Sequence, residues 1–423
     1  MLVEVFSRRA TLFFGILLYS AVSSAQSDPR AKALCAQVPG IVAELTEISG
    51  MKQHRAVPCD FISKEQVNQF LKKRIKETST PEEVRAEELT LKKFGLIPAD
   101  FDLAKNEVDL LTEQAAAFYD YDRKKLFITD STSSESQAPV LAHELSHALA
   151  DQNYNLARFI KQGRKSDDGS TARLAVMEGQ ATWMMSEYLA RQAGTSLKDS
   201  ATLAASMANM AAGDEGGESN KSDSEYPVFD KEPLYLKLTL VFPYTKGMSF
   251  QQAVLVRDPR QGFGEVFLHP PVSTQQILHP EKYFEHLQPT DPALPVVHLP
   301  HGYKGLVGGE LGELEQGIML EQYVGKTRAA ALAPHWRGCN FELQESKKAG
   351  RVVLLYATEW DSEESAAQYF AAYREVMRKK WKSLTVSAEA ADSLTGTGDD
   401  GRFELRRKGA LVTSVEGLDP EIH

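Results

Sequence analysis

The stretch from Pro139 to Gln152, PVLAHELSHALADQ, constrains this chain more than any other. His143, Glu144 and His147 stand there in the order H-E-x-x-H. Residues four apart project from one face of a helix, so two imidazoles at this spacing can share one metal ion. Glu144 is turned away from His143 about the helix axis, beside the fourth coordination position rather than in it. A general base must lie there to take a proton from water. The helix is read independently of the motif: Leu141, Leu145, Ala148 and Leu149 form an apolar stripe at helical spacing. Pro139 suits a first turn, with Ser136 or Gln137 as the cap. The competing reading is a solvated histidine pair on a surface helix.

Two histidines leave a zinc site incomplete, because a catalytic zinc takes three protein ligands plus water. The third ligand is expected at Glu178, in TARLAVMEGQATWMMSEYL (Thr171 to Leu189). Leu174, Glu178, Ala181 and Met185 share a helical face, and a carboxylate in such a stripe is costly to bury unless paired or metal-bound. Gly179 is expected to let this helix approach the first one closely. The alternative for Glu178 is an exposed charge or an ion pair.

HELSH followed by EGQA resembles the gluzincin branch of zinc metallopeptidases, in which a downstream helix supplies a Glu. More narrowly, the chain is similar to a group of bacterial exported proteins with the same succession of segments. These are LLTEQAAAFYDYDRKKLFI, LAHELSHALADQ, MEGQAT, FPYTKGMSF and PVSTQQILHPEKYF, then a tail ending LLYATEWDSEESAAQYF. The likeness runs from roughly Phe61 to Ser414 and implies a zinc-dependent peptidase fold, with one Zn2+ per chain and a peptide or protein substrate. A zinc-holding envelope scaffold without turnover and an amidase acting on cell-wall peptides are the competing functions.

With 48 basic against 58 acidic residues the chain carries a net charge of −10, which argues against a nucleic-acid partner. Residues 1–25 read as an export signal. Arg8 and Arg9 precede an apolar run from Ala10 to Val22, and Ser23-Ser24-Ala25 offers a cleavage site. That run is short for a membrane span, so membrane contact is expected only through the signal and the mature protein is expected outside the cytoplasm. Of Cys35, Cys59 and Cys339, the first two can pair and leave the third free, although an intermolecular bridge or three thiols also fit the spacing.

The expected fold class is α+β. After the signal, residues 26–100 form an N-terminal helical segment packed on the catalytic part. It has a capping box at Ser63 and Gln66 and a second helix opened by Pro81. Residues 101–338 form a mainly helical, zincin-like domain with a small edge sheet. Within it, FYDYDRKKLFITD reads as a hairpin whose strand could take up extended peptide. Residues 212–226 read as a polar loop, and LYLKLTLVF as an apolar stretch stopped at Pro243. In PVSTQQILHPEKYF, His279 is the candidate oxyanion donor, with Tyr283 and Tyr303 behind it; the bland reading is a hydrogen-bonded structural histidine. Asp151 is expected to face solvent, with orientation of a ligand as the alternative. Gly308 and Gly309 read as a turn before a helix from Glu310 to Val324. Residues 339–423 read as a small ββαββ domain whose helix buries Ala366, Tyr369, Phe370, Tyr373 and Met377.

Overall fold

A computed structural model of the chain describes residues 29–78, 80–114, 117–129, 137–211, 226–348 and 350–419. The expected export signal, the cap at Ser136 and all but the last residue of the expected 212–226 loop lie outside these residues. The architecture is α+β.

Helix α1 (Val38–Ser49) buries Val38, Ile41, Val42, Leu45 and Ile48, an amphipathic spacing that fixes one face to the core. Gly50 ends it in the left-handed region (φ 74), its N–H on Thr46 O. A disulfide joins Cys35 to Cys59, and Cys339 is free and buried. Cys59 opens strand β1 (Cys59–Ile62).

Helices α2 (Lys64–Thr78) and α3 (Pro81–Phe94) start where their caps say they should. Ser63 and Gln66 exchange hydrogen bonds, and so do Thr80 and Glu83. The two do not dock together on one partner. Val67, Phe70 and Leu71 of α2 join a core with Phe118 and Phe127. Phe94 of α3 instead packs edge-to-face on Phe341 and Tyr356, at 5.5 and 5.2 Å. The break at Thr80-Pro81 frees each apolar stripe to seek its own surface.

After α4 (Leu103–Gln114) come β2 (Ala117–Asp120) and β3 (Lys125–Thr129), the expected hairpin. The Asp120 carboxylate accepts the N–H groups of Asp122 and Arg123 and closes the turn. The sheet order is β1-β3-β2, with β1 parallel and β2 antiparallel to β3. The strand that leads into the motif helix is therefore central, and β2 is an edge.

Three long helices follow: α5 (Gln137–Tyr154), α6 (Asp167–Gln192) and α7 (Leu234–Arg257). Leu141, Leu145, Ala148 and Leu149 are all buried, each such side chain contributing about 1.5–3 kcal/mol in the larger cases. Ser166 caps α6 through the Gly169 N–H. Pro243 does not stop the third helix but lies inside it. A proline there removes a backbone hydrogen bond and costs about 3 kcal/mol. Burial of Phe242, Met248, Phe250, Val254 and Leu255 along the same helix outweighs that.

The remainder holds the short helix α8 (Thr274–Leu278), then β4 (Lys304–Gly309), α9 (Glu313–Val324), β5 (Trp336–Ser346), β6 (Arg351–Trp360) and α10 (Glu363–Lys380). Strands β7 (Leu384–Ala390), β8 (Ser393–Gly398), β9 (Gly401–Lys408) and β10 (Leu411–Leu418) complete it. Gly308 and Gly309 thus end a strand rather than make the turn expected of them, and the helix after them begins at Glu313. In place of ββαββ there is a seven-stranded antiparallel sheet, β4-β5-β6-β10-β9-β8-β7, and the expected boundary at 339 falls inside β5. Helix α10 buries Ala366, Tyr369, Phe370, Tyr373 and Met377 as its period requires. On another cluster of sheet side chains, Val353, Leu355, Val415 and Leu418, pack Leu294, Val297, Leu299 and Tyr303. Among the described residues, no helix is long and apolar enough to cross a membrane.

Candidate metal centre

The i, i+4 spacing on α5 and the return of the chain in α6 bring three ligand atoms together. His143 Nε2 lies 3.1 Å from Glu178 Oε2, His147 Nε2 lies 3.3 Å from the same oxygen, and the two ring nitrogens are 3.2 Å apart. Tetrahedral zinc ligands with bonds of about 2.0–2.1 Å stand about 3.3 Å from one another. The triangle therefore has the size of one face of such a tetrahedron. His143, Glu144 and His147 also offer ligand atoms within 4.8 Å of one another.

Burial alone would push the Glu178 carboxyl up, but His147 and His143 outweigh it and hold it well below the ordinary carboxylate range. It is an anion placed to receive a cation. For Glu144, burial comes first and, with the Glu178 charge, pushes the carboxyl up to about 7, against His143 and the Tyr119 N–H, which lower it. That N–H, on β2, donates to Glu144 Oε2 at 2.8 Å. The N–H on which strand addition at Tyr119 would depend is thus already engaged.

His279 is not brought to this cluster. Its Nε2 pairs with Glu313 Oε1 at 2.7 Å and its Nδ1 lies 3.7 Å from Glu281. Tyr283 is likewise turned elsewhere, its hydroxyl donating to His269 O, and Tyr303 packs with the sheet. The aromatic residue at the site is Tyr244 of α7, whose ring stacks on His143 with centroids 5.9 Å apart and planes 28° apart. Reading Pro243 as a stop hid it. A helix continued through Pro243 puts Tyr244 one turn before Gly247, and that pairing is the signal that could have found it.

Two further expectations change. Gly179 serves α7, not α5: a Cβ on Gly179 would fall on the backbone of Gly247, and one on Gly247 would fall on the Ala175 carbonyl. Asp151 is buried rather than solvent-facing. It accepts from the Tyr119 hydroxyl at 2.9 Å, from Lys124 Nζ at 2.6 Å and from the Leu156 N–H at 3.1 Å, so it orients β2 and its turn rather than a histidine.

Comparison with known proteins bears on the other end of the chain. A family model described as a domain of unknown function (DUF8575) matches residues 304–422, from the first residue of β4 to just past β10. Those residues hold the seven-stranded sheet and none of the four that converge on α5 and α6. No curated protein and no solved structure matches the chain.

Proposed function

We propose that the chain is an exported zinc-dependent peptidase that hydrolyses peptide bonds, with Zn2+ held by His143, His147 and Glu178. The observation that carries this reading is the triangle of two imidazole nitrogens and one carboxylate oxygen at metal-ligand spacing, with a second carboxylate beside it. A zinc ion bound there supplies a Lewis acid and lowers the pKa of water in the open position.

The protein's own part falls to Glu144. The Tyr119 N–H engages Oε2, which leaves Oε1 to take a proton from the attacking water and return it to the leaving amine. Export is supported by the Cys35–Cys59 disulfide, which persists in oxidising compartments, and by the signal-like composition of residues 1–25.

Glu144→Gln tests the reading. The variant is expected to keep its zinc and to lose about 10²-fold or more of the wild-type activity on a fluorogenic peptide library. Zinc-loaded wild type that cleaves neither peptides nor muropeptides, and behaves like the variant, overturns it in favour of a scaffold. Cleavage of muropeptides alone replaces it with an amidase.

A further inference from the structure

We infer that the pocket at the C-terminal end of α5 is a binding site for a carboxylate joined to an apolar group, such as the last residue of a peptide. The inference is independent of the metal-site reading, since none of His143, Glu144, His147 and Glu178 lines this pocket.

The pocket has a volume of about 520 Å³ and forms where other parts of the chain meet the end of α5. Arg55 comes from the loop before β1, Lys124 from the β2–β3 turn and Arg158 from the helix Leu156–Gly163. Asp151 is the one acid in the lining. Three cations therefore stand against one carboxylate, in a chain whose net charge is −10. That carboxylate is closed off from solvent and already accepts from the Tyr119 hydroxyl, Lys124 Nζ and the Leu156 N–H. What remains open is cationic. Arg55 and Arg158 are both exposed, and Arg55 Nη2 lies 3.8 Å from Asp151, beyond hydrogen-bond distance. Among the described residues the Arg158 guanidinium has no hydrogen-bond or ion-pair partner. Planar guanidinium forks are the donors that match a carboxylate.

The backbone beneath these groups is held in place. Gln152 Oε1 accepts the N–H groups of His54 and Arg55, and its Nε2 donates to Arg55 O, which fixes the Arg55 backbone on α5. Lys124 and Asn155 both have positive φ, 57° and 55°, and both line the pocket. Among the described residues only one other non-glycine, His286, does so. This region disfavours a residue with a Cβ, and such strain gathers at functional sites.

Part of the lining is apolar, which selects among anions. Leu268 is 65% exposed at the end of the helix Gly262–Leu268. Beside it Phe267 stacks on Tyr154, with ring centroids 4.8 Å apart and planes 9° apart. A bare anion such as phosphate would leave this surface in water. A carboxylate that carries an aliphatic group covers it while its oxygens meet the guanidinium groups.

The test is calorimetric titration of the full chain with N-acetyl-leucine, N-acetyl-leucinamide, N-acetyl-glycine, octanoate and inorganic phosphate. N-acetyl-leucine should bind about tenfold more tightly than its amide, which lacks the charge. It should also bind more tightly than N-acetyl-glycine or phosphate, which lack the aliphatic group. Arg158→Gln should cost about tenfold in affinity for N-acetyl-leucine, and Leu268→Ser should erase the advantage of leucine over glycine. Both residues are exposed, so neither variant is expected to unfold, and zinc content should stay as in the wild type. Octanoate identifies the source of the carboxylate: tighter binding than N-acetyl-leucine supports the site with a free acid as its ligand, and weaker binding supports it with a peptide end. The assignment is overturned if neither acid binds, if the amide or phosphate binds as tightly as N-acetyl-leucine, or if Arg158→Gln keeps full affinity. A chain that binds no zinc would defeat the metal-site reading and leave these expectations standing.

Discussion

The Tyr119 hydroxyl meets Asp151 Oδ2 at 2.9 Å, while the backbone N–H of Tyr119 meets Glu144 Oε2 at 2.8 Å. One residue of β2 thus holds helix α5 at two points about two turns apart, with His147 between them. Glu144 of the H-E-x-x-H segment and the buried Asp151 behind it share a single anchor.

Asp151→Ala therefore leaves Lys124 and the Tyr119 hydroxyl without their common acceptor in a buried place. Breaking such a pair costs about 3 kcal/mol. A urea titration should show a loss of that order, with zinc stoichiometry unchanged in protein kept folded. A loss under 0.5 kcal/mol, roughly the ceiling for exposed positions, would show Asp151 to be a surface charge.

Gly179→Ala puts a methyl group into the Gly247 backbone. Overpacking usually costs about 1–3 kcal/mol, and the obstacle here is backbone, which cannot rotate away. A loss near 3 kcal/mol by thermal denaturation is expected, with weakened zinc binding because Glu178 moves with its helix. Tolerance of alanine would mean that the two helices do not touch there.

A pH dependence follows from the start of α6. Asp168 and Glu315 are both buried, and their Oδ2 and Oε1 atoms have no hydrogen-bond partner. Burial, with the Glu310 charge adding to it, pushes Glu315 from an ordinary 4.5 up to about 7, although backbone N–H groups lower it. Burial, then the Glu315 charge, raises Asp168 as well, against hydrogen bonds from Thr274. A carboxyl raised on folding binds more protons in the native state, so its cost is absent below about pH 4.5. The cost grows as pH climbs and is complete above about 7. Glu315→Gln should gain on the wild type between pH 5 and 8 by on the order of 2 kcal/mol. Parallel stability profiles for the two proteins would rule this out.

Removing the disulfide by Cys35→Ser with Cys59→Ser opens a loop whose ends are 24 residues apart. Loop-closure entropy predicts a loss of about 3 kcal/mol, seen as a lower urea midpoint. No change would mean that the unfolded chain gains nothing from the cut.

What the sequence made legible was local. The stripe of Leu141, Leu145, Ala148 and Leu149, the cap at Ser63 and the Cys35–Cys59 pair all depend on neighbours in the chain or on having few candidates. The convergence of Glu178 on His143 and His147 was also readable, because a buried carboxylate in an apolar stripe asks for a partner. The misreadings came where tertiary packing outweighs local preference. Pro243 disfavours an isolated helix, yet the buried α7 runs through it, and the glycines of KGLVGG suggest a turn until β5 pairs with them. His279 reads from sequence either as an oxyanion donor or as a hydrogen-bonded structural histidine, and Glu313, the partner that decides for the second, lies in a later helix. Asp151 looked exposed because Tyr119 and Lys124 come from the hairpin.

The central claim concerns a metal ion among His143 Nε2, His147 Nε2 and Glu178 Oε2. Its most direct test is an anomalous difference map from crystals of the zinc-loaded protein, collected above and below the zinc absorption edge. The account predicts one strong peak about 2.0–2.2 Å from each of the three atoms, with its open side toward Glu144. A map without that peak, or with the ion on other residues and Glu178 turned away from the imidazoles, would contradict it.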